Sequence, residues 1–157
     1  MNVGALSETD YGNYYMYGMG SKTYDYTDTP YAGDENPLAK SADTAAQEWG
    51  GNWHMPTKAQ IEELTANTTY QWVRNYKCSG INGGTFTATN GAVLFIPAAG
   101  RWYNGSQLLV GSCGYYWGSS PNGSNYACSL YFSSGNKGVA DDDRKYGYPV
   151  RPVIDKS

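Results

Sequence analysis

Two stretches in the N-terminal half of the chain carry helix signals, and everything beyond Tyr70 reads in the alternating or short apolar pattern of strands. The first stretch is Ala42 to Trp49, where Ser41 or Asp43 can cap free N–H groups, Ala45, Ala46 and Glu48 favour helix, and Gly50-Gly51 stops it. The second opens on Thr57-Lys58-Ala59-Gln60, a capping box. Ile61 and Leu64 share its buried face and Asn67 marks its end. Strands are predicted at Tyr70 to Tyr76, at Thr85 to Thr89, and, after the hairpin dipeptide Asn90-Gly91, at Ala92 to Ile96, which Pro97 terminates. Further strands are predicted at Gly114 to Trp117, Ala127 to Phe132, Gly138 to Asp141 and Tyr148 to Val153. Upstream, alternation around Tyr15 and Tyr17 predicts a short strand of half-buried tyrosines, followed by a loop with Pro30, Gly33 and Pro37. Two early helices and a late multi-stranded sheet define an α+β fold.

Composition changes this picture in one respect: the core has to be aromatic. The chain has 157 residues, the size of a single domain, and carries 16 Tyr and 5 Trp while Leu, Ile and Val are scarce. Its 20 Gly, many Asn, Ser and Thr, and few charges describe a loop-rich domain with short strands, and this aromatic content excludes a disordered chain. A net charge of −3 with dispersed Lys and Arg argues against a nucleic-acid partner. No segment reaches the run of about 18 apolar residues that a membrane-spanning helix needs. Met1 leads into Asn2-Val3-Gly4-Ala5 with no basic start or apolar run, which predicts either excision from a longer protein or delivery without a cleaved signal, as part of an assembled particle. Cys78, Cys113 and Cys128 lie far apart, without metal-ligand spacing, and their odd number argues against a disulfide scaffold.

The order of motifs along the chain resembles a known family. Asn2-Val3-Gly4-Ala5 and Asp10-Tyr11-Gly12 are followed by Trp49-Gly50-Gly51-Asn52-Trp53-His54-Met55-Pro56-Thr57 and Phe95-Ile96-Pro97-Ala98-Ala99-Gly100. Gly114-Tyr115-Tyr116-Trp117, Leu130-Tyr131-Phe132 and Val150-Arg151-Pro152-Val153 complete the series. Together they resemble the bacterial "major paralogous domain" family, a branch of the C-type-lectin-like modules related to the formylglycine-generating enzyme fold. The resemblance implies two helices and a twisted, mostly antiparallel sheet, with a display face on the C-terminal strands and loops of an extracellular protein, on a phage virion tail or a bacterial cell surface. A subset of such proteins is diversified by retroelements that mutate adenines, so that Asn codons come to specify many residues.

A randomised Asn codon keeps its final pyrimidine and never specifies Lys, Trp, Gln, Glu or Met. From Tyr103 onward the reachable, irregular positions are Tyr103, Leu108, Cys113, Tyr126, Cys128, Asn136, Gly138, Ala140, Asp141, Asp142, Asp143, Tyr146 and Tyr148, and they are the candidate ligand-binding residues. Gln107, Trp117, Lys137 and Lys145 are unreachable and are expected to be fixed. The tyrosines at 103, 126, 146 and 148 carry the functional expectation, because Tyr offers a large amphipathic face with little rotamer freedom to lose. The expected partner is a protein or glycan receptor, bound without a cofactor and without covalent chemistry. The alternative is a fixed-specificity carbohydrate-binding lectin or adhesin.

Other chemistries fare less well. Asp141-Asp142-Asp143 supplies oxygens for a hard cation, but successive side chains on an extended segment alternate, so at most Asp141 and Asp143 converge. The triplets that C-type lectins use for calcium and sugar are absent. His54, the single histidine, lacks identifiable partners for acid–base work. An oxidase of the formylglycine-generating kind would need Cys113 and Cys128 as a pair. Arg144 and Arg151 read as buried guanidinium groups that tie carbonyls, with Arg151 the stronger structural case.

Overall fold

The computed structural model describes residues 9–155. Helix α1 (Thr44–Trp49) starts where the extended Asp43 turns its carboxylate back to accept from the Ala46 amide at 3.0 Å, two residues later than the sequence predicts, and Gly50 at φ 68° closes it. The Asp43 carboxylate is buried and also accepts from the Met55 amide at 3.0 Å, so one side chain caps the helix and fastens the segment that follows. Helix α2 (Lys58–Asn67) has both halves of its capping box. The Gln60 amide donates to Thr57 Oγ1 at 3.2 Å, and the Thr57 amide donates to Gln60 Oε1 at 3.0 Å.

Strands β1 (Thr68–Val73), β2 (Gly83–Ala88) and β3 (Val93–Pro97) form an antiparallel sheet in that order, with the Asn90-Gly91 turn between the last two. The first of these strands ends before the predicted Tyr76, because Asn75, Lys77 and Cys78 adopt positive φ around a short 3₁₀ turn, which sets the Tyr76 ring flat on Phe95 at 3.9 Å. A two-stranded ribbon, β4 (Arg101–Tyr103) with β5 (Ser106–Leu108), was not anticipated. It turns on Asn104-Gly105, both at positive φ, the backbone that a two-residue hairpin loop requires. The last sheet is an antiparallel meander of β6 (Cys113–Asn122), β7 (Tyr126–Ser133) and β8 (Lys137–Asp143).

Two predicted strands are not strands. Around Tyr15 and across Tyr148 to Val153 the chain makes isolated bridges, Tyr15 with both Thr23 and Tyr148, and Val153 with His54. Pro149 and Pro152 have no N–H to give a ladder, which limits that segment to single contacts. The fold is α+β, with mostly antiparallel sheets, and no helix among the described residues is long and apolar enough to cross a membrane.

The meander separates two aromatic cores. Residues directly opposite in an antiparallel pair share a face. Tyr116, Leu130, Phe132, Cys128 and Val139 therefore point one way, under Ile61 and Leu64 of α2 and against Phe86 of the first sheet. Tyr115, Trp117, Ala127 and Tyr131 point the other way, where Tyr15, Tyr17 and Tyr148 pack. Trp117 stacks on Tyr148 at 4.3 Å between centroids and donates its indole N–H to the Tyr15 carbonyl at 2.8 Å. Arg144 is fully buried. Its guanidinium donates to the carbonyls of Tyr31, Gly33, Gly123 and Tyr126 at 2.8–3.1 Å and lies over the Tyr17 ring, whereas Arg151 is only half-buried; the two arginines thus rank opposite to the sequence expectation.

Candidate functional site

The face of the meander away from α2 is only partly covered, and the segment Tyr146 to Tyr148 forms its floor. Trp102 and Gly147 exchange both backbone hydrogen bonds, at 2.9 and 2.8 Å, and Tyr15 and Tyr148 exchange theirs at 2.8 and 2.9 Å, so this segment is held between the β4–β5 ribbon and the N-terminal chain. Tyr148 is fully buried and donates its hydroxyl to Asp142 Oδ2 at 2.8 Å, where the Ser129 hydroxyl also donates at 2.7 Å. From that floor the rings climb outward. Tyr148 stacks on Tyr146 at 5.8 Å, Tyr146 meets the exposed Tyr103 at 5.0 Å, and Tyr115 joins Tyr148 to Tyr131 at 5.1 and 5.3 Å.

Arg101 stands among these rings. Its guanidinium lies 4.5 Å from the centre of the Tyr146 ring and 5.1 Å from that of Tyr115, within cation–π range. It has no carboxylate partner among the described residues, and its Nε–H is buried without an acceptor. Burial pushes the Tyr148 and Tyr115 phenols well above their ordinary pKa, so both stay neutral hydrogen-bonding groups across the physiological range.

The rim of the face follows from strand register. Gly138 lies opposite Tyr131 and Ala140 opposite Ser129, so both share the tyrosine side with Asp142. A Cβ built at Gly138 meets nothing within 4 Å, whereas one at Gly114, on the helix side, would sit 2.1 Å from the Phe132 ring. Cys113 brings its Sγ to 3.9 Å from the Tyr131 hydroxyl. Leu108 is opposite Arg101 on the ribbon and projects to the same side, beginning an exposed apolar run through Leu109 and Val110.

Of the candidate ligand-binding residues, the fold gathers Tyr103, Leu108, Cys113, Gly138, Ala140, Asp142, Tyr146 and Tyr148 on one face. Two of the thirteen are corrected as surface contacts by burial: Tyr148 is floor, and Cys128 is sealed under α2 on the opposite side. Asp141, Asp143 and Tyr126 point to the opposite side of the sheet as well, and Asn136 lies in the β7–β8 turn, where its side chain accepts from the Lys137 amide. The acidic run alternates as its extended backbone demands. Asp142 is taken up by two hydroxyls, and among the described residues no group of His, Cys, Asp and Glu is placed to hold a metal. Cys113 and Cys128 occupy opposite faces of the sheet and do not form a thiol pair.

Sequence reasoning missed Arg101, Tyr115 and Tyr131. The Asn104-Gly105 dipeptide is the signal that places Arg101 and Tyr103 on a hairpin. His54 also has partners that the sequence concealed: Nδ1 lies 2.7 Å from the Met55 carbonyl and Nε2 2.9 Å from Asp155, which accepts from Gln60 too. Compared with protein-family models, with characterised proteins and with solved structures, the chain finds no match.

Proposed function

We propose that this protein is a C-type-lectin-like binding module, and that the tyrosine face around Arg101 is its receptor-binding surface, diversified by a retroelement. The observation that carries the reading is the contrast between the two sides of one sheet. The side away from the helix gathers eight of the thirteen candidate positions that a mutated Asn codon can specify, against four on the helix side, and has open space at Gly138; the helix side is closed to any added atom at Gly114. A rigid scaffold with an interchangeable surface has this form. Exposed Tyr103, half-buried Tyr146 and the apolar run Leu108 to Val110 favour a protein receptor, since amphipathic rings beside exposed aliphatic side chains make adaptable protein contacts. Display on a virion tail or a bacterial surface fits such a module, and it acts without cofactor or covalent chemistry.

The test is deep sequencing of the coding region for residues 100 to 153 in a natural population, with a search for a near-identical adenine-bearing copy and a reverse transcriptase. Substitutions concentrated at Tyr103, Leu108, Cys113, Gly138, Ala140, Asp142 and Tyr146, with Gly114, Phe132 and Arg144 invariant, are the expected result. Variation scattered evenly over both faces removes the diversification reading. An invariant region leaves a fixed-specificity lectin or adhesin.

A further inference from the structure

Behind the β4–β5 ribbon, on the side away from the tyrosine face, lies a cleft of about 580 Å³. Trp102 and Gln107 are opposite one another on the ribbon and point there, alternating with Arg101 and Tyr103. The Trp102 indole forms the centre of an aromatic wall, with Tyr14 edge-on at 6.4 Å and Tyr24 at 6.3 Å, and the Tyr26 ring stands 58% exposed at its rim. Polar groups are set around these rings. Gln107 donates to the Tyr14 hydroxyl at 3.2 Å, which leaves its amide oxygen as an acceptor, and Asp25 uses Oδ1 for the Thr27 amide and hydroxyl. The Tyr24 hydroxyl is buried with no partner.

We infer that this cleft is a second binding site, independent of the tyrosine face, and that its ligand is a neutral saccharide. Ring faces carry negative charge density and pack against the weakly positive C–H face of a sugar, while the amide and carboxylate at the edge take its hydroxyls. Asp25 is the only charged residue among the described residues that line the cleft, which disfavours an anionic ligand. Several uncharged polar groups, and a buried hydroxyl that lacks a partner, fit a polyhydroxylated ligand better than a simple cation, which would use the rings and the carboxylate alone.

The experiment screens the protein against a panel of neutral oligosaccharides, then titrates the best ones while following the Trp102 indole N–H by NMR. The expected result is a saturable shift of the Trp102 signal. Tyr26→Ala and Asp25→Asn, both exposed positions, should weaken binding about tenfold each, and Arg101→Ala and Gly138→Trp on the other face should leave it unchanged. Three results overturn the inference: no shift up to about 10 mM saccharide, the weak end for a monovalent site; binding that Gly138→Trp abolishes while Trp102 stays unmoved; or a Trp102 response to tetramethylammonium in place of every saccharide. Failure of the receptor reading leaves all of these outcomes untouched, because Arg101 points to the opposite side of the ribbon and Gly138 lies on β8, outside the cleft lining.

Discussion

Arg144 shows what one side chain can organise. Its guanidinium takes up carbonyls from two separate segments, the loop at Tyr31 and Gly33 and the β6–β7 hairpin at Gly123 and Tyr126, and the planar fork makes the geometry possible. Lysine reaches fewer of them and leaves buried carbonyls without donors, each costing about 1–3 kcal/mol. Arg144→Lys is therefore expected to lower stability by at least about 3 kcal/mol, read as a fall in Tm of roughly 10 °C. His54 is a subtler case. Burial alone pushes its imidazolium pKa down, but hydrogen bonds to the Met55 carbonyl and the Asp155 carboxylate outweigh this and raise it above the ordinary 6.5. Asp155 is held below its ordinary 3.8 by His54 and Gln60. A raised histidine pKa stabilises fully below the unfolded value and loses that contribution as pH rises through the folded one. A depressed carboxylate pKa contributes above its unfolded value and loses the contribution as pH falls. The pair thus contributes most between 3.8 and 6.5, and the Tm gap between the protein and His54→Gln is expected to be widest there and to close as the medium becomes alkaline. Residue chemistry made Arg144 legible in the sequence. Its ranking against Arg151 was not, because burial depends on which loops fold over a side chain; Asp155 was hidden by a separation of 101 residues from His54.

Among elements, the local signals that close on themselves were legible. The capping box of α2 and the Gly50 stop of α1 need only neighbouring residues, and both appear as read. Thr57→Ala is expected to cost about 1 kcal/mol, measurable as a shift in the urea midpoint at unchanged slope. Elements that depend on distant partners were misread. The Tyr148 to Val153 segment has strand-like residues, but its prolines and its position between Tyr15 and β6 restrict it to single bridges. Within the meander, two glycines of similar appearance in the sequence differ in what surrounds them. Gly138→Trp is expected to leave stability within about 0.5 kcal/mol, while Gly114→Ala should cost about 2 kcal/mol through collision with Phe132. Parallel thermal melts of the two variants distinguish an open face from a packed one, and equal losses would place both glycines in the core. Residue type alone named Tyr103, Tyr146 and Tyr148 but missed Arg101, Tyr115 and Tyr131; the choice between Asp142 and Asp141 required register, which decides which of them joins the tyrosines.

At the scale of the whole molecule, early and late parts of the chain are interleaved. Tyr15 pairs with Tyr148, His54 with Val153, and the Tyr14 hydroxyl donates to the Ala99 carbonyl at 2.6 Å. A chain ending at Asp143 keeps all three named sheets yet lacks the floor beneath the tyrosine face and the partner of Trp117. It is expected to lose cooperative unfolding in a thermal melt, with few dispersed signals in its NMR spectrum. Such pairing over nearly the full length also governs when the protein can fold. During synthesis the Tyr15 segment leaves the ribosome long before its partner exists, so the native state waits until Tyr148 has emerged. A frameshift or premature stop anywhere in the region from Tyr103 to Tyr148 therefore yields a product that never folds and is open to proteolysis. Only chains read through Tyr148 would close this pairing, so truncated products are removed before they accumulate.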